Sequence, residues 1–226
     1  MDGKDSLIEK LVDEKPKFHV LPGGTLTSWA VSSDVLRFIY SKLTPDMITL
    51  ETGAGHSTVV FAIAGTNHTC ITRSEAEVAG IRQYCSGLGL GSNVNFLIGS
   101  SDVILPCNNQ IPLELDFAFI DGAHKFPLPC IDWYYIERKL KVGGIVGVDD
   151  FKMPSVRVLI DFLKIEDEWE LIRIVRNAAF FKKVREYDHP YYWRSQKFNT
   201  DDESWRRKSL ISRAKAWVTI KLHELG

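Results

Sequence analysis

A chain of 226 residues has room for one α/β domain with a sizeable core and too little for two comfortable ones, so a single active site is expected. Hydrophobic residues make up 45% and charged residues 25%, and the net charge of -1 gives no field that would recruit nucleic acid or an acidic membrane. The four cysteines, Cys70, Cys85, Cys107 and Cys130, form no Cys-x-x-Cys pair, which excludes a zinc knuckle or dithiol motif and suits free thiols in a reducing compartment.

Residues 1–17 alternate charge with isolated leucines instead of showing a basic stretch, an apolar block and a small-residue cleavage site. No apolar run approaches the roughly 20 residues of a spanning helix, so the sequence reads as soluble and cytoplasmic. Within 1–45, expected to form an N-terminal helical cap region, Trp29, Val35, Leu36, Ile39, Tyr40 and Leu43 recur at three- and four-residue steps behind the capping candidates Ser32 and Ser33. That helix ends near Pro45.

From there the period keeps changing. Residues 47–51 form a short apolar run, 57–64 look helical, 69–72 are a run again, and 75–88 are helical with Val78, Ile81, Tyr84 and Cys85 on one face. The alternation continues through a run at 94–98, a helical turn at 102–105, a run at 116–120, a helix over 128–141 and a run at 144–148. This β-α-β-α order predicts a parallel sheet with crossover helices, and strands written as continuous apolar runs imply helices on both faces. After a helix near 156–163, strand-like stretches at 169–175 and 178–184 are joined only by Arg176 and Asn177. So short a link cannot hold a crossover helix, so the pair must be antiparallel.

The predicted fold is therefore a single Rossmann-like α/β domain, 1–226, with its core at 46–184 and a mostly parallel seven-stranded sheet ending in an antiparallel hairpin. That hairpin departs from the usual dinucleotide fold, whose last strand is also parallel. Residues 185–226 are expected to add an aromatic segment and then a helix through Leu210, Ile211, Ala214, Trp217 and Val218.

Leu50-Glu51-Thr52-Gly53-Ala54-Gly55-His56-Ser57-Thr58 places two glycines at the carboxyl end of the first core strand, just before a helix, where open α/β sheets bind ligands. Glycine also serves any tight strand-to-helix turn, so position matters more than the glycines. The third glycine of the dinucleotide fingerprint is absent, since Thr58 stands in its place. Glu51 would repel a pyrophosphate and attract an ammonium group.

These residues resemble the first motif of the class I S-adenosylmethionine-dependent methyltransferases, an acid followed by x-G-x-G. A second block, Asp116-Phe117-Ala118-Phe119-Ile120-Asp121-Gly122-Ala123-His124, with Leu140-Lys141-Val142-Gly143-Gly144-Ile145-Val146-Gly147-Val148-Asp149-Asp150, is similar to the fourth and fifth strands of that superfamily. More narrowly it resembles the metal-dependent O-methyltransferases of the catechol and caffeoyl-CoA type and their macrocin-type and cephalosporin-hydroxylase-like relatives. The terminal hairpin suits the same fold.

The resemblance implies S-adenosylmethionine as cofactor, held by Glu51, Gly53, Gly55, Ser57 and Thr58 and by Asp121. It also implies magnesium or another divalent cation on Asp121, Asp149 and Asp150. Three oxygen ligands suit magnesium, calcium or manganese better than zinc. Asp149-Asp150 also reads as a turn or capping acid before the Pro154 helix, and Asp121-Gly122 as a turn dipeptide.

This chain differs from the catechol type in carrying Asp150 where that type has asparagine and His124 where it has lysine. His124 is the candidate general base, with Lys125 as substitute. His124 equally reads as a helix cap or a further metal ligand.

An acid is expected near the end of the second strand for the cofactor ribose, and Glu75 is the candidate, although an acid in a first helical turn also answers the helix dipole. Gly99-Ser100-Ser101-Asp102 resembles the segment that contacts adenine in the catechol type, and Ser100 and Ser101 are assigned there; the same run reads as a helix cap. Trp29, Phe126, Tyr191, Tyr192 and Trp193 read as an acceptor-pocket wall or as core. Arg206, Arg207 and Lys208 read as a solvated helix face.

The leading expectation is a metal-assisted O-methyltransferase of a small hydroxylated molecule, with no nucleic-acid or membrane partner and with oligomeric state open. The alternatives are metal-independent transfer with His124 as base, and a cofactor-binding domain without turnover. A nicotinamide oxidoreductase is disfavoured by Thr58, Glu51 and the terminal hairpin.

Overall fold

A computed structural model describes residues 3–21, 23–28, 30–90, 93–107, 109–186 and 196–200. At the amino end, α1 (Gly3–Glu14) buries Ile8 and Leu11, two positions three apart that lie on one helical face. The sequence reading found only isolated leucines there. A small antiparallel hairpin, β1 (His19–Val20) and β2 (Leu26–Thr27), follows it. Next comes α2 (Ser33–Lys42), which Ser32 caps by accepting a hydrogen bond from the Val35 amide.

The core then runs β3 (Ile48–Thr52), α3 (His56–Ala64), β4 (Asn67–Thr72), α4 (Glu75–Gly87), β5 (Val94–Ile98), α5 (Ser101–Cys107) and β6 (Leu115–Ile120). It continues with α6 (Leu128–Glu137), β7 (Leu140–Val148), α7 (Pro154–Leu163), β8 (Trp169–Val175), β9 (Ala178–Lys183) and the short α8 (Lys197–Thr200). Seven strands form one sheet in the order β5-β4-β3-β6-β7-β9-β8, parallel through β7 and antiparallel where β9 joins β7 and β8 joins β9. The expected architecture is therefore present, including the hairpin at the sheet's end. The tail helix expected through Leu210 to Val218 and residues 187–195 lie outside the described residues.

Both faces of the sheet are covered, and strand alternation decides which residue serves which face. Phe117, Phe119 and Phe180 enter the core under α1 to α4, whereas Ala118, Ile120 and Phe181 enter the core under α5 to α7. Phe180 is fully buried, with its ring centroid 4.5 Å from that of Phe38 and 6.3 Å from that of Phe119.

One boundary differs from the expectation. The helix predicted over 128–141 ends at Glu137, and β7 begins at Leu140. Leu140 is buried and pairs with Leu115 before the register slips, so that Phe117 meets Ile145. The extra residues of β7 are accommodated by a bulge in which Gly143 takes φ 92°, a conformation few other residues adopt. A helical apolar period carried through Leu140 hides that change.

The chain leaves β3 toward β4 and β5 on one side, then returns to β6 on the other. Such a reversal opens a crevice at the strands' carboxyl ends, where both glycine loop and acids emerge.

Candidate cofactor cleft and acid cluster

A cleft of about 590 Å³ lies at that crevice, a size suited to a small-molecule ligand. Its wall is built from the loop after β3, the ends of β4 and β5, and the segments after β6 and β7. The sheet's hydrogen-bond ladder continues past each strand end: Gly53 donates to the Ile71 carbonyl, Gly99 to Thr72, Asp121 to Thr52 and Asp149 to Ile120, all at 2.9 to 3.0 Å. The loops that carry the candidate residues are thereby fixed to one another.

Gly53 is required on two counts. It has φ 91°, and a Cβ there would lie 2.2 Å from the Asp121 carbonyl oxygen. Glycine loop and first acid are therefore in direct backbone contact. Gly55 is extended, and a Cβ on it would meet only the ring of His19 at 3.4 Å.

Glu51 sits beneath this loop and does not reach the cleft surface; it is fully buried. It accepts hydrogen bonds from Ser57 at 2.7 Å and from the Thr58 hydroxyl. Thr58 in turn accepts from the Gly55 amide at 2.9 Å. The hydroxyl that displaces the third glycine of a dinucleotide loop thus ties loop to acid. His68 Nε2 lies 3.2 Å from Glu51, while its Nδ1 is 2.8 Å from Thr49 Oγ1 and its ring stacks on Phe61 at 4.1 Å. Of the loop candidates, Gly53, Gly55 and Ser57 line the cleft, and Glu51 and Thr58 support them from below.

Glu75 is exposed and does not line the cleft; Glu77 does. Glu77 Oε2 accepts from Thr72 Oγ1 at 2.9 Å, and Oε1 lies 3.0 Å from His19 Nδ1. Its amide donates to Ser74, the cap of α4. Sequence reasoning missed Glu77, although Ser74-Glu75-Ala76-Glu77 has the S-x-x-E spacing of a capping box. Nothing in the sequence marked His19, whose place depends on the amino-terminal hairpin. Ser100 and Ser101 line the cleft at the start of α5.

Asp121, His124, Asp149 and Asp150 also line the cleft. His124 Nε2 is 3.1 Å from Asp150 Oδ2 and 4.0 Å from Asp121 Oδ1. One ligand atom from each of Asp121, His124 and Asp150 falls within 4.8 Å of the others. Asp149, the remaining acid of the expected set, is 8% exposed, and its Oδ1 has no hydrogen-bond partner among the described residues.

Burial pushes the Asp121 carboxyl well above the ordinary range, and the carboxylates of Asp149, Glu51 and Asp150 push it further. Asp149 is raised by burial and by Asp150, against the opposing effects of the Asp150 amide and His124. So many acids in one cleft call for a proton or a cation. The donor set, carboxylate oxygens with one imidazole nitrogen and an unpartnered buried oxygen, fits a divalent ion.

Lys125 and Phe126 are exposed and do not line the cleft. Trp29, Tyr191, Tyr192, Trp193, Arg206, Arg207 and Lys208 lie outside the described residues.

A mostly parallel sheet with an antiparallel strand inserted before its last, carrying a glycine loop and acids on one edge, is an architecture that resembles the class I S-adenosylmethionine-dependent methyltransferases, O-methyltransferases among them. Residues 50–151 match the family described as methyltransferase domain. Among solved structures the chain is similar to a candidate caffeoyl-CoA O-methyltransferase from Staphylococcus aureus, at 19% identity and a TM-score of 0.58, covering 81% of this chain and 93% of that one. It is also similar to an rRNA methylase from Streptococcus thermophilus, at 15% identity and a TM-score of 0.54, covering 67% and 95%. A third similar structure is a candidate methyltransferase from Streptococcus mutans in complex with SAH, at 14% identity and a TM-score of 0.52, covering 66% and 95%. No curated protein matches the chain in sequence. Among the described residues no helix is long and apolar enough to cross a membrane.

Proposed function

We propose that the chain binds S-adenosylmethionine along the cleft and transfers its methyl group to a hydroxyl of a small molecule, with a divalent cation held by Asp121, Asp149 and Asp150. One observation carries this reading: Asp121 and Asp150 converge with His124 within 4.8 Å in the cleft that the glycine loop also lines, and Asp149, whose buried Oδ1 has no partner among the described residues, lines the same cleft.

Methyl transfer from a sulfonium is an in-line displacement, so the protein must mainly align donor and acceptor and help the acceptor lose its proton. In this reading Gly53, Gly55 and Ser57 receive the methionine end of the cofactor, Glu77 its ribose, and Ser100 and Ser101 its adenine. Glu51 acts from below, fixing the loop and adding negative potential beneath an ammonium group. His124 faces the acceptor end with Asp150 at 3.1 Å, placed to take the hydroxyl proton. A bound cation would orient the acceptor oxygen and favour its ionised form.

Support for a small acceptor comes from the cleft's charge. Its described lining carries Glu77, Asp121, Asp149 and Asp150 against Arg73, which does not favour a polyanion such as RNA. The rRNA methylase shares the fold alone. The His124–Asp150 contact also suits a second reading, transfer without a metal, in which the aspartate orients the imidazole.

The test is calorimetric binding of S-adenosylhomocysteine with and without magnesium, followed by turnover on a panel of hydroxylated acceptors with and without a chelator. Asp121→Ala is expected to abolish turnover. Near-normal turnover of that variant would overturn the metal reading, chelator-resistant turnover would select the second reading, and absence of cofactor binding would reject both.

A further inference from the structure

The acid at position 150 has an unusual backbone: φ is 53°, in the left-handed region, where a residue with a Cβ is uncommon and aspartate is among the more tolerant. This bend separates two neighbouring acids, leaving Asp149 buried while the Asp150 carboxylate meets His124. A backbone in that region persists only where its surroundings hold it.

The holding groups come from the far hairpin. β7 pairs antiparallel with β9, Ile145 opposite Lys182 through Val148 opposite Ala179, and the same register carried past the strand ends puts Asn177 opposite Asp150. Asn177 grips the bend twice. Its side-chain amide donates to Asp150 Oδ1, and its carbonyl accepts from the Phe151 amide at 3.1 Å. The neighbouring Arg176, itself at φ 53°, pairs with Asp34 at the start of α2 at 2.5 Å, anchoring the turn from its other side. With Oδ1 occupied by Asn177, Oδ2 is the oxygen turned toward His124.

Resting on the metal-assisted reading above, we propose that Asn177 is a positioning residue, which occupies Oδ1 of Asp150 and so directs Oδ2 into the Asp121, His124 and Asp150 group where the cation would sit. The antiparallel hairpin thereby acquires a role in the chemistry of a site built otherwise from the parallel strands. Groups that orient a ligating carboxylate commonly govern metal affinity by about 10- to 100-fold when removed.

The experiment titrates Mn2+ into the full chain, following loss of the free-ion electron paramagnetic resonance signal, for wild type, Asn177→Ala and Asn177→Asp. Asn177→Asp keeps the shape and removes the donor, and because its added carboxylate would by itself attract the cation, weaker binding in that variant reports the lost orientation. Melting temperature and metal-free S-adenosylhomocysteine affinity are measured alongside. The expected result is Mn2+ binding weakened about tenfold or more in both variants, with S-adenosylhomocysteine affinity and melting temperature near wild type. Wild-type Mn2+ affinity in both variants would overturn the positioning role while leaving the metal reading standing. No Mn2+ binding by wild type would overturn the metal reading and, with it, this one. Parallel loss of cofactor affinity and melting temperature would assign Asn177 to plain fold maintenance and overturn the proposal.

Discussion

At Gly53 and Gly55 the same residue type answers different constraints. Gly53→Ala forces a side chain into a left-handed backbone, costing about 1–2 kcal/mol, and drives a Cβ against the Asp121 carbonyl. Gly55→Ala meets only a histidine ring at ordinary contact distance. We expect Gly53→Ala to lose both stability and S-adenosylhomocysteine binding, and Gly55→Ala to lose far less of either, as read by thermal melting and calorimetry. Equal effects would mean that the loop moves away from Asp121. A second contrast separates the acids of α4: Glu77→Gln should weaken S-adenosylhomocysteine binding several-fold, whereas Glu75→Gln should leave it unchanged in the same titration. The reverse pattern would restore the assignment made from sequence. Gly53, Gly55, Asp121, Asp149 and Asp150 were legible because strand ends and turn residues mark themselves locally. Glu77 was obscured by an acid two residues earlier, and His19 and Asn177 owe their positions to partners 58 and 27 residues away.

Among the elements, β9 is the one whose placement sequence order least suggests, since it enters between β7 and β8. The two-residue link at Arg176 and Asn177 made the pairing readable, and the apolar run made the strand readable. The neighbour on its other side was not, because the register against β7 is set by packing. Phe180 contributes most visibly to that packing, buried among Phe38, Phe117 and Phe119. Phe180→Ala is expected to lower unfolding free energy by about 3–5 kcal/mol, measured by urea denaturation. A loss below about 1 kcal/mol would mean that the α2 side of the sheet closes over the void. The helix-to-strand boundary near Leu140 failed to show in sequence for a related reason: a leucine buried by a sheet and one buried by a helix look alike until the register is known.

For the whole molecule, the segment matching the methyltransferase family supplies the glycine loop and the acids, yet the cleft also draws on residues before it. The amino-terminal hairpin brings His19 to Glu77, and Phe18 lies with its ring centroid 5.2 Å from that of His56, which is 2% exposed at the start of α3. Covering His56 in this way has a cost in acid. Burial, and secondarily the proximity of His19, lowers its pKa to about 4, with the Pro16 carbonyl offsetting only part of the effect. In the unfolded chain the imidazole returns to about 6.5. Between these values the unfolded state binds the extra proton, so stability rises with pH through that window and the contribution is complete above it. Falling from pH 6.5 to 4, the wild type should lose about 2–3 kcal/mol through this residue alone. His56→Leu removes the titrating ring and keeps an apolar filling under the hairpin, so its urea-denaturation stability should fall less steeply over the same interval than that of the wild type. Parallel curves for the two proteins would show that the amino-terminal segment opens on acidification and lets His56 protonate in the folded chain.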